Sequence, residues 1–336
     1  MAEHRIIFKS KPQINISYSS SVRMWLVCGT AFLCVLQSAI NDGGRSFTPA
    51  FTALFTAIII EYLLTWRSYG ASKIKDGSAA ACAMILSLLL PNQIHPVYAA
   101  FGAVFAIIVV KHGFGGLGAN WLNPAVGGWL FIRFSWPDTL TNTTSSITEL
   151  SVASDLSAFD NSITEFLNNS VFSITGIQLP SGYVDLLFNN NPGIIADRGI
   201  FFLLIGTLVI TAAGINRGWI PLVFLTVYGF LIRLTGDTVQ LWNGDMLYGF
   251  FSGGTILAAF ILAAEPASSA KFKSGIFITV FFAAVLSWFF RYRCLDYSGA
   301  FIAIAVINCF TPLVRLMEEK LFLSGRSRRN IQENPL

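Results

Sequence analysis

A series of about ten apolar runs constrains this chain more than any other feature. Most of the runs are long enough to cross a lipid bilayer as tilted helices. They lie at roughly residues 24–40, 47–66, 77–90, 96–110, 121–136, 199–214, 219–235, 246–264, 275–290 and 299–317. Hydrophobic residues make up 54% of the 336 residues and charged residues only 12%, which is too apolar for an ordinary soluble domain of this length. The sequence therefore predicts an all-α polytopic membrane protein.

Two of the runs, 77–90 and 96–110, are shorter than most of the others. They are bounded by Gly77, Pro91 and Pro96. Such segments are typical of broken or re-entrant helices, and equally of a helix pair buried inside a bundle, so the sequence leaves both arrangements open.

The distribution of basic residues predicts the orientation. Most of the 22 Lys and Arg residues fall in segments that become cytoplasmic when the N-terminus is inside, whereas 134–197 has none and carries seven acidic residues. We therefore expect a multi-pass protein of the cytoplasmic membrane with both termini in the cytoplasm. The expected divisions are a first five-helix half (1–136), an extracytoplasmic polar loop (137–198), a second five-helix half (199–317) and a cytoplasmic tail (318–336).

An odd number of helices in each half makes the second half run through the membrane inverted relative to the first, as in many transport folds. The sequence shows weak internal similarity of this kind, because GSAAACAMILSLLLP (Gly77–Pro91) is similar to SGGTILAAFILAAEP (Ser252–Pro266). Close contact between small-residue helix faces is also a sufficient explanation of this similarity. The prediction is about ten transmembrane helices in two inverted five-helix repeats.

Charge and cysteine content argue against two other classes of protein. The formal net charge of +4 follows from the orientation and gives no reason to expect nucleic acid. The five cysteines and three histidines stand at no metal-ligand spacing. We therefore expect no metal or iron–sulfur site held by this chain alone.

The stretch GFGGLGANWLNPAVGGW (Gly113–Trp129) is the most unusual motif. A glycine loop before a helix N-terminus offers backbone N–H groups and the positive end of the helix dipole to an anion. No predicted strand precedes it, so it is not a dinucleotide fingerprint, and a tight turn at the membrane is the alternative. The candidate binding residues in this stretch are Gly115, Gly116, Gly118, Asn120 and Asn123. If the backbone approaches a neighbour closely here, a leucine at Gly116 or Gly118 abolishes activity or assembly.

FGGLGANWLNPA (Phe114–Ala125) resembles the signature of the D subunit of the Rnf electron-transport complex and of its relative, the B subunit of the sodium-pumping NADH:quinone reductase. Further similar segments follow in the family's order, and they are DLLFNNNPGIIAD (185–197), GFFSGGTILAAFILAAEPASS (249–269) and AFIAIAVINCFTPLV (300–314). The length of the chain favours the Rnf type.

The resemblance implies a membrane subunit of a redox-driven pump, in which flavins carry electrons while the complex moves Na⁺ or H⁺. Such a chain acts only with other integral and peripheral subunits, among them a flavin-bearing outer subunit, which supply the site where ferredoxin or NADH reacts. A non-redox channel or secondary transporter built on the same inverted 5 + 5 plan is the alternative.

The resemblance also implies flavin cofactors, FMN and riboflavin. In this family one FMN is joined to a threonine in an outer-loop motif of the form Ser/Thr-Gly-Ala-Thr, and the nearest matches here, TGIQ (175–178) and SGYV (181–184), lack that threonine. Thr175 is the candidate for attachment out of register, or it is an ordinary turn residue. The remaining candidate cofactor-binding residues are Ser252, Gly253, Gly254 and Thr255.

Charged groups inside or at the ends of apolar spans are costly unless they are paired or functional. Glu265, which precedes Pro266, and Asp76 are the candidates for ion coupling. The alternative for both carboxylates is a plain interfacial position.

Overall fold

The computed structural model describes residues 19–69, 74–116, 118–141, 158–170, 172, 179–188, 193–235 and 244–333. Within these ranges the chain folds into helices and turns without a β-strand, and a single isolated antiparallel bridge joins Pro91 and Ile194. The predicted all-α class is therefore confirmed.

The first half of the chain contains five apolar helical segments. They are α1 (Ser20–Asp42), α2 (Phe47–Tyr69), α3 (Ser78–Leu88), α4 (Pro96–Phe105), which continues as a π-helix (Ala106–His112), and α5 (Pro124–Ser135). Every residue of α3 is buried, which fits a short helix enclosed by its neighbours.

Short helices connect the two halves. They are α6 (Asp138–Thr141), α7 (Ala158–Ser170), α8 (Tyr183–Phe188) and α9 (Ile195–Arg198). Asp160 of α7 accepts hydrogen bonds from the backbone N–H groups of Gly182, Val184 and Asp185 at 2.8–3.0 Å, which fixes α7 to the start of α8. Thr175, the predicted attachment candidate, lies outside the described residues.

The second half again contains five apolar segments, one of them interrupted. They are α10 (Ile200–Ala212), α11 (Trp219–Thr235), α12 (Met246–Phe251) followed by α13 (Thr255–Leu257) with a π-helix (Ala258–Leu262), α14 (Lys273–Trp288) with a π-helix (Phe289–Arg293), and α15 (Gly299–Glu333). The sequence predicts one continuous span at 246–264, whereas the structure interrupts it at Ser252–Gly254.

Among the described residues, four helices are long and apolar enough to cross a membrane, by length and composition: Ser20–Asp42, Phe47–Trp66, Lys273–Arg293 and Gly299–Leu321. The shorter apolar helices are Ser78–Leu88, Pro96–His112, Ile200–Ala212 and Trp219–Thr235. Large apolar side chains also project outward from the bundle, among them Phe55, Leu63, Leu208, Leu222, Phe230, Phe310 and Leu316. Helices that are apolar on both their inner and outer faces are typical of proteins solvated by lipid.

Local sequence signals explain where several helices begin and end. Asn123 caps α5, since its Oδ1 accepts hydrogen bonds from the N–H groups of Ala125 at 2.9 Å and Val126 at 3.2 Å, and Pro124 occupies the first helical position. The helix in the predicted span 121–136 therefore begins at Pro124. Gly43 ends α1 in the left-handed conformation, with φ of 69°.

The halves pack according to a similar scheme. In the first half α2 packs against α4, and α4 against α5; in the second, α11 packs against α14, and α14 against α15. Contacts between the halves include α1 against α10 and α5 against α15. Trp129 and Phe301 meet edge to face at 5.5 Å in the latter contact, and both side chains are fully buried.

Candidate functional site

A cavity of about 380 Å³ opens between the two halves at the end of the molecule that carries the glycine loop. Both halves contribute to its wall, and the lining residues are Ser20, Arg23, Met24, Val27, Ile85, Gly118, Asn123, Ile215, Asn216, Ile261, Glu265, Pro266 and Ala267. The volume lies in the lower part of the range of about 300–1,000 Å³ that is usual for small-molecule sites. Three predicted site residues, Gly118, Asn123 and Glu265, therefore line one cavity.

Asn123 and Glu265 join the two halves at this cavity. The Asn123 side chain caps α5 with Oδ1 and donates from Nδ2 to Glu265 Oε2 at 2.7 Å. Ser268 Oγ donates to the same carboxylate oxygen at 3.0 Å. Two donors thus hold the half-buried Glu265 carboxylate in one orientation at the wall of the cavity.

Arg23 and Asn216 were not among the predicted site residues. The Nε atom of Arg23 is buried and has no hydrogen-bond partner within the described part of the chain. Asn216 donates from Nδ2 to the carbonyl oxygen of Phe260 at 2.9 Å, which leaves its Oδ1 as a further acceptor. A ligand in the cavity can therefore accept a hydrogen bond from Arg23 and donate one to Asn216.

The remainder of the wall is aliphatic. Met24, Val27, Ile85, Ile215 and Ile261 are aliphatic, and none of the lining residues that the structure describes is aromatic. An apolar ring in this cavity would be in contact with aliphatic side chains.

The glycine loop is a tight turn whose N–H groups are partly used within it. Gly115, Gly116 and Gly118 have φ values of 106°, 91° and 92°, a left-handed region that favours glycine. Gly116 N–H donates to the carbonyl oxygen of Lys111 at 2.9 Å, and Gly115 N–H donates to that of His112 at 3.1 Å. A Cβ atom added at Gly116 or Gly118 meets nothing within 4 Å. Backbone conformation, and not the expected close approach to a neighbour, therefore explains these two glycines.

The segment Ser252–Thr255, a predicted cofactor-binding segment, forms hydrogen bonds within the protein. Its N–H groups at Gly253 and Gly254 donate to the carboxylate of Asp197 at 3.0 and 2.8 Å, and Tyr297 Oη donates to that carboxylate at 2.8 Å. A Cβ atom added at either glycine overlaps a neighbouring side chain. The N–H groups of Gly253 and Gly254 are therefore bonded to Asp197, and both glycines are closely surrounded by the protein's own side chains.

The structure thus brings only some of the predicted candidates together. Asn123 and Glu265 line both the cavity of about 380 Å³ and a second one of about 40 Å³ beside it, and Asn120 lines the second. Asp76 lies at the start of α3, where its Oδ1 accepts from the N–H and Oγ of Ser78 at 2.8 and 2.7 Å.

The sequence of the chain matches the family described as NQR2, RnfD, RnfE over residues 7–322. The chain belongs to this family. It is 27% identical over 305 residues to the D subunit of the proton-translocating ferredoxin:NAD⁺ oxidoreductase complex of Clostridium ljungdahlii, covering 91% of this chain and 92% of that protein. It is 28% identical over 328 residues to the D subunit of the Na⁺-translocating ferredoxin:NAD⁺ oxidoreductase complex of Acetobacterium woodii, covering 96% of each.

A third relative comes from another bacterium, Colwellia psychrerythraea. The D subunit of its ion-translocating oxidoreductase complex is 29% identical over 291 residues, covering 78% of this chain and 82% of that protein. The resemblance drawn from the motif at 114–125 is therefore confirmed. The relatives are named for both H⁺ and Na⁺ translocation, so the likeness to them does not select the ion.

Proposed function

We propose that this chain is the membrane subunit of a redox-driven Na⁺ or H⁺ pump and carries electrons through flavin within an Rnf-type ferredoxin:NAD oxidoreductase complex. The family match over residues 7–322 carries this proposal. Its working partners are the other integral and peripheral subunits of such a complex, including a flavin-bearing outer subunit. In this proposal electrons reach the chain from those partners.

In this proposal the ten apolar segments cross the cytoplasmic membrane as two inverted five-helix repeats, with both termini in the cytoplasm. Support comes from the equivalent pairings, α2 with α4 and α11 with α14, in the two halves. Further support comes from the fourth segment of each half, because both end in a π-helix, at Ala106–His112 and Phe289–Arg293.

The cavity between the halves is the proposed flavin site. Its aliphatic wall suits the isoalloxazine ring, and Arg23, Asn123 and Asn216 are placed to hold the polar edge of riboflavin or FMN. A bound flavin accepts electrons and passes them on one or two at a time. Glu265 lies at the same cavity and is the proposed ion-coupling carboxylate, because a charge change on the flavin acts directly on a neighbouring carboxylate.

Flavin content of the assembled complex tests the proposal. Val27→Trp fills the cavity from α1, whereas Val22→Trp adds the same ring at an exposed position of the same helix. We expect Val27→Trp to lower the non-covalent flavin per complex and Val22→Trp to leave it unchanged. Equal flavin in both variants would overturn the cavity as the site.

The denatured chain separates the attachment modes. A fluorescent band on a gel that disappears in Thr175→Ala would establish covalent attachment out of register, whereas a dark band with flavin in the supernatant indicates a non-covalent site. Absence of flavin from both fractions of the assembled complex would overturn electron transfer by this chain and favour the non-redox channel or secondary transporter.

A further inference from the structure

A buried ion pair lies at the end of α4, on the face that carries the glycine loop. Glu61 of α2 accepts hydrogen bonds from Lys111 Nζ at 2.9 Å and from His112 Nε2 at 2.8 Å. The side chains of Glu61 and Lys111 are 0% and 2% exposed, whereas His112 is 22% exposed. His112 is therefore the member of the group through which the buried pair meets its surroundings.

Lys111 has another partner on the opposite side. Its Nζ donates to Ser78 Oγ at 2.7 Å, and Ser78 Oγ in turn donates to Asp76 Oδ1 at 2.7 Å. Asp76 is half-buried at the start of α3. Lys111 thus stands between two carboxylates, Glu61 directly and Asp76 through the serine hydroxyl.

The cavity of about 40 Å³ connects this group to the proposed flavin site. Lys111, Ser78, Asn120, Asn123 and Glu265 are among its lining residues. The Oδ1 atom of Asn120 is buried without a partner among the described residues. The cavity exceeds the roughly 10–15 Å³ that one water needs, and its polar wall supplies the two to four partners that hold a buried water.

We propose that His112, Glu61, Lys111 and water in this cavity form a proton-transfer path from the protein surface to Glu265. The inference rests on the proposed function, since it supplies a proton to the carboxylate beside the flavin site. His112 takes a proton from the surface on Nδ1 and passes the proton on Nε2 to Glu61, which leaves the imidazole neutral. Glu61 passes a proton to Lys111 as Lys111 releases one to the cavity water, and the water passes one to Glu265. Each bond to hydrogen that breaks is matched by one that forms, so one proton moves from the surface through His112 to Glu265.

A purely structural ion pair explains less of this arrangement. Buried ion pairs contribute little net stability compared with apolar residues of similar size, so burial alone gives no reason for a lysine and a glutamate here. The ionisable groups that face Lys111 are Glu61, His112, Asp76, Cys82 and Glu265. They form one continuous set between the surface and the cavity.

Two substitutions in the assembled complex test the path. Lys111→Arg keeps the charge next to Glu61, but a guanidinium does not release a proton. His112→Gln keeps a hydrogen-bond donor to Glu61 but cannot carry a proton. We expect each to slow electron transfer from reduced ferredoxin to NAD⁺ about 10²-fold, the lower end of what positioned proton transfer supplies. His95→Gln, at the exposed start of α4, is the matched control and leaves the rate unchanged.

Imidazole separates proton transfer from a structural role. His112→Ala opens a space beside Glu61, and added imidazole should restore the rate with a pH dependence that follows the titration of imidazole. Unchanged rates in Lys111→Arg and His112→Gln, or a slow His112→Ala complex that imidazole does not rescue although it is fully assembled, would overturn the path. If the Lys111 and His112 variants are slow but the subunit holds no flavin, the flavin assignment would be overturned and the proton-transfer path would stand.

Discussion

Lys111 and Arg291 are buried cations in equivalent places, each in the π-helix that ends the fourth apolar segment of its half. Their partners differ. Lys111 donates to a carboxylate and a hydroxyl, those of Glu61 and Ser78, whereas Arg291 donates to the carbonyl oxygen and the hydroxyl of Ser252 at 2.7 and 2.6 Å. Arg291 also lies 5.4–5.8 Å from the ring centres of three tyrosines, Tyr248, Tyr292 and Tyr297.

The difference separates two roles for a buried positive charge. An ammonium group can give up a proton, and its neighbours Glu61 and His112 can exchange one with it. A guanidinium stays charged and binds through a rigid fork, so Arg291 fixes the interruption between α12 and α13. The buried cation of the first half, Lys111, can therefore lose its proton, whereas that of the second half, Arg291, stays charged.

The largest expected effect comes from removing the permanent charge. Arg291→Met removes the guanidinium that acts on the Asp197 carboxylate and both hydrogen bonds from Arg291 to Ser252. Loss of one partner of a buried charged group costs about 3–5 kcal/mol. Arg293→Met, two residues along on the exposed side, is the control. Thermal unfolding of the detergent-solubilised protein measures both. Equal melting temperatures for the two variants would contradict the structural role of Arg291.

Removing the lysine should cost less, because Glu61 keeps His112 as a partner. We expect Lys111→Met to lower stability by about 3 kcal/mol, the lower end of the range for a broken buried pair. Adding Glu61→Gln should recover part of that loss, because it removes the uncompensated carboxylate. If the losses of stability in Lys111→Met and Glu61→Gln simply add up in the double variant, the two residues are not coupled.

Glycine substitutions compare the rigidity of the interruption at Ser252–Gly254 with that of the glycine loop, and their expected effects on stability are smaller. Gly253→Ala adds a Cβ that overlaps the Arg291 guanidinium, at a φ of 67°. Gly116→Ala has a φ of 91° but open space around the new atom, so only the conformational cost of about 1 kcal/mol applies. Melting temperatures should fall further for Gly253→Ala. The reverse order would mean that the interruption adapts more easily than the loop.

Cysteine labelling tests which region faces the cytoplasm. Cys294 is exposed just after the π-helix of Arg291, and Ala119→Cys introduces a thiol in the exposed part of the glycine loop. In single-cysteine variants, an impermeant maleimide added to intact cells should modify Cys294 and leave the thiol at position 119 unmodified. Labelling only at 119 would invert the predicted orientation.

Sequence reasoning succeeded where a residue acts locally. Each of the ten apolar runs contains a helix, because long apolar segments leave few other ways to satisfy the backbone. The cap at Asn123 and the first-turn proline at Pro124 act over a few residues, and they shorten the predicted span at 121–136 to a helix that begins at Pro124. The break at Ser252–Gly254 was missed, because it depends on Asp197 and Arg291, which lie far away along the chain.

The contacts of the candidate site were harder to predict for the same reason. Glu61 and Lys111 are 50 residues apart, and Asn123 and Glu265 are 142 apart, so their pairing follows from helix packing and not from spacing. The sequence did offer one signal, because Glu61 stands inside an apolar run and an isolated charge there requires a partner. It offered no comparable signal for Arg23, whose buried Nε atom is evident only from the packing of α1 beside the second half.

The cavity between the halves has a thermodynamic consequence. Because its wall includes Arg23 and Ile85 of one half and Asn216 and Glu265 of the other, an occupant that binds only the folded protein adds its binding free energy to the cohesion of the two halves. At a ligand concentration 100 times the dissociation constant, this linkage is worth about 2.7 kcal/mol. Loss of the occupant thus loosens the junction between the halves, and tolerance of heat or detergent becomes a measure of how fully the cavity is filled.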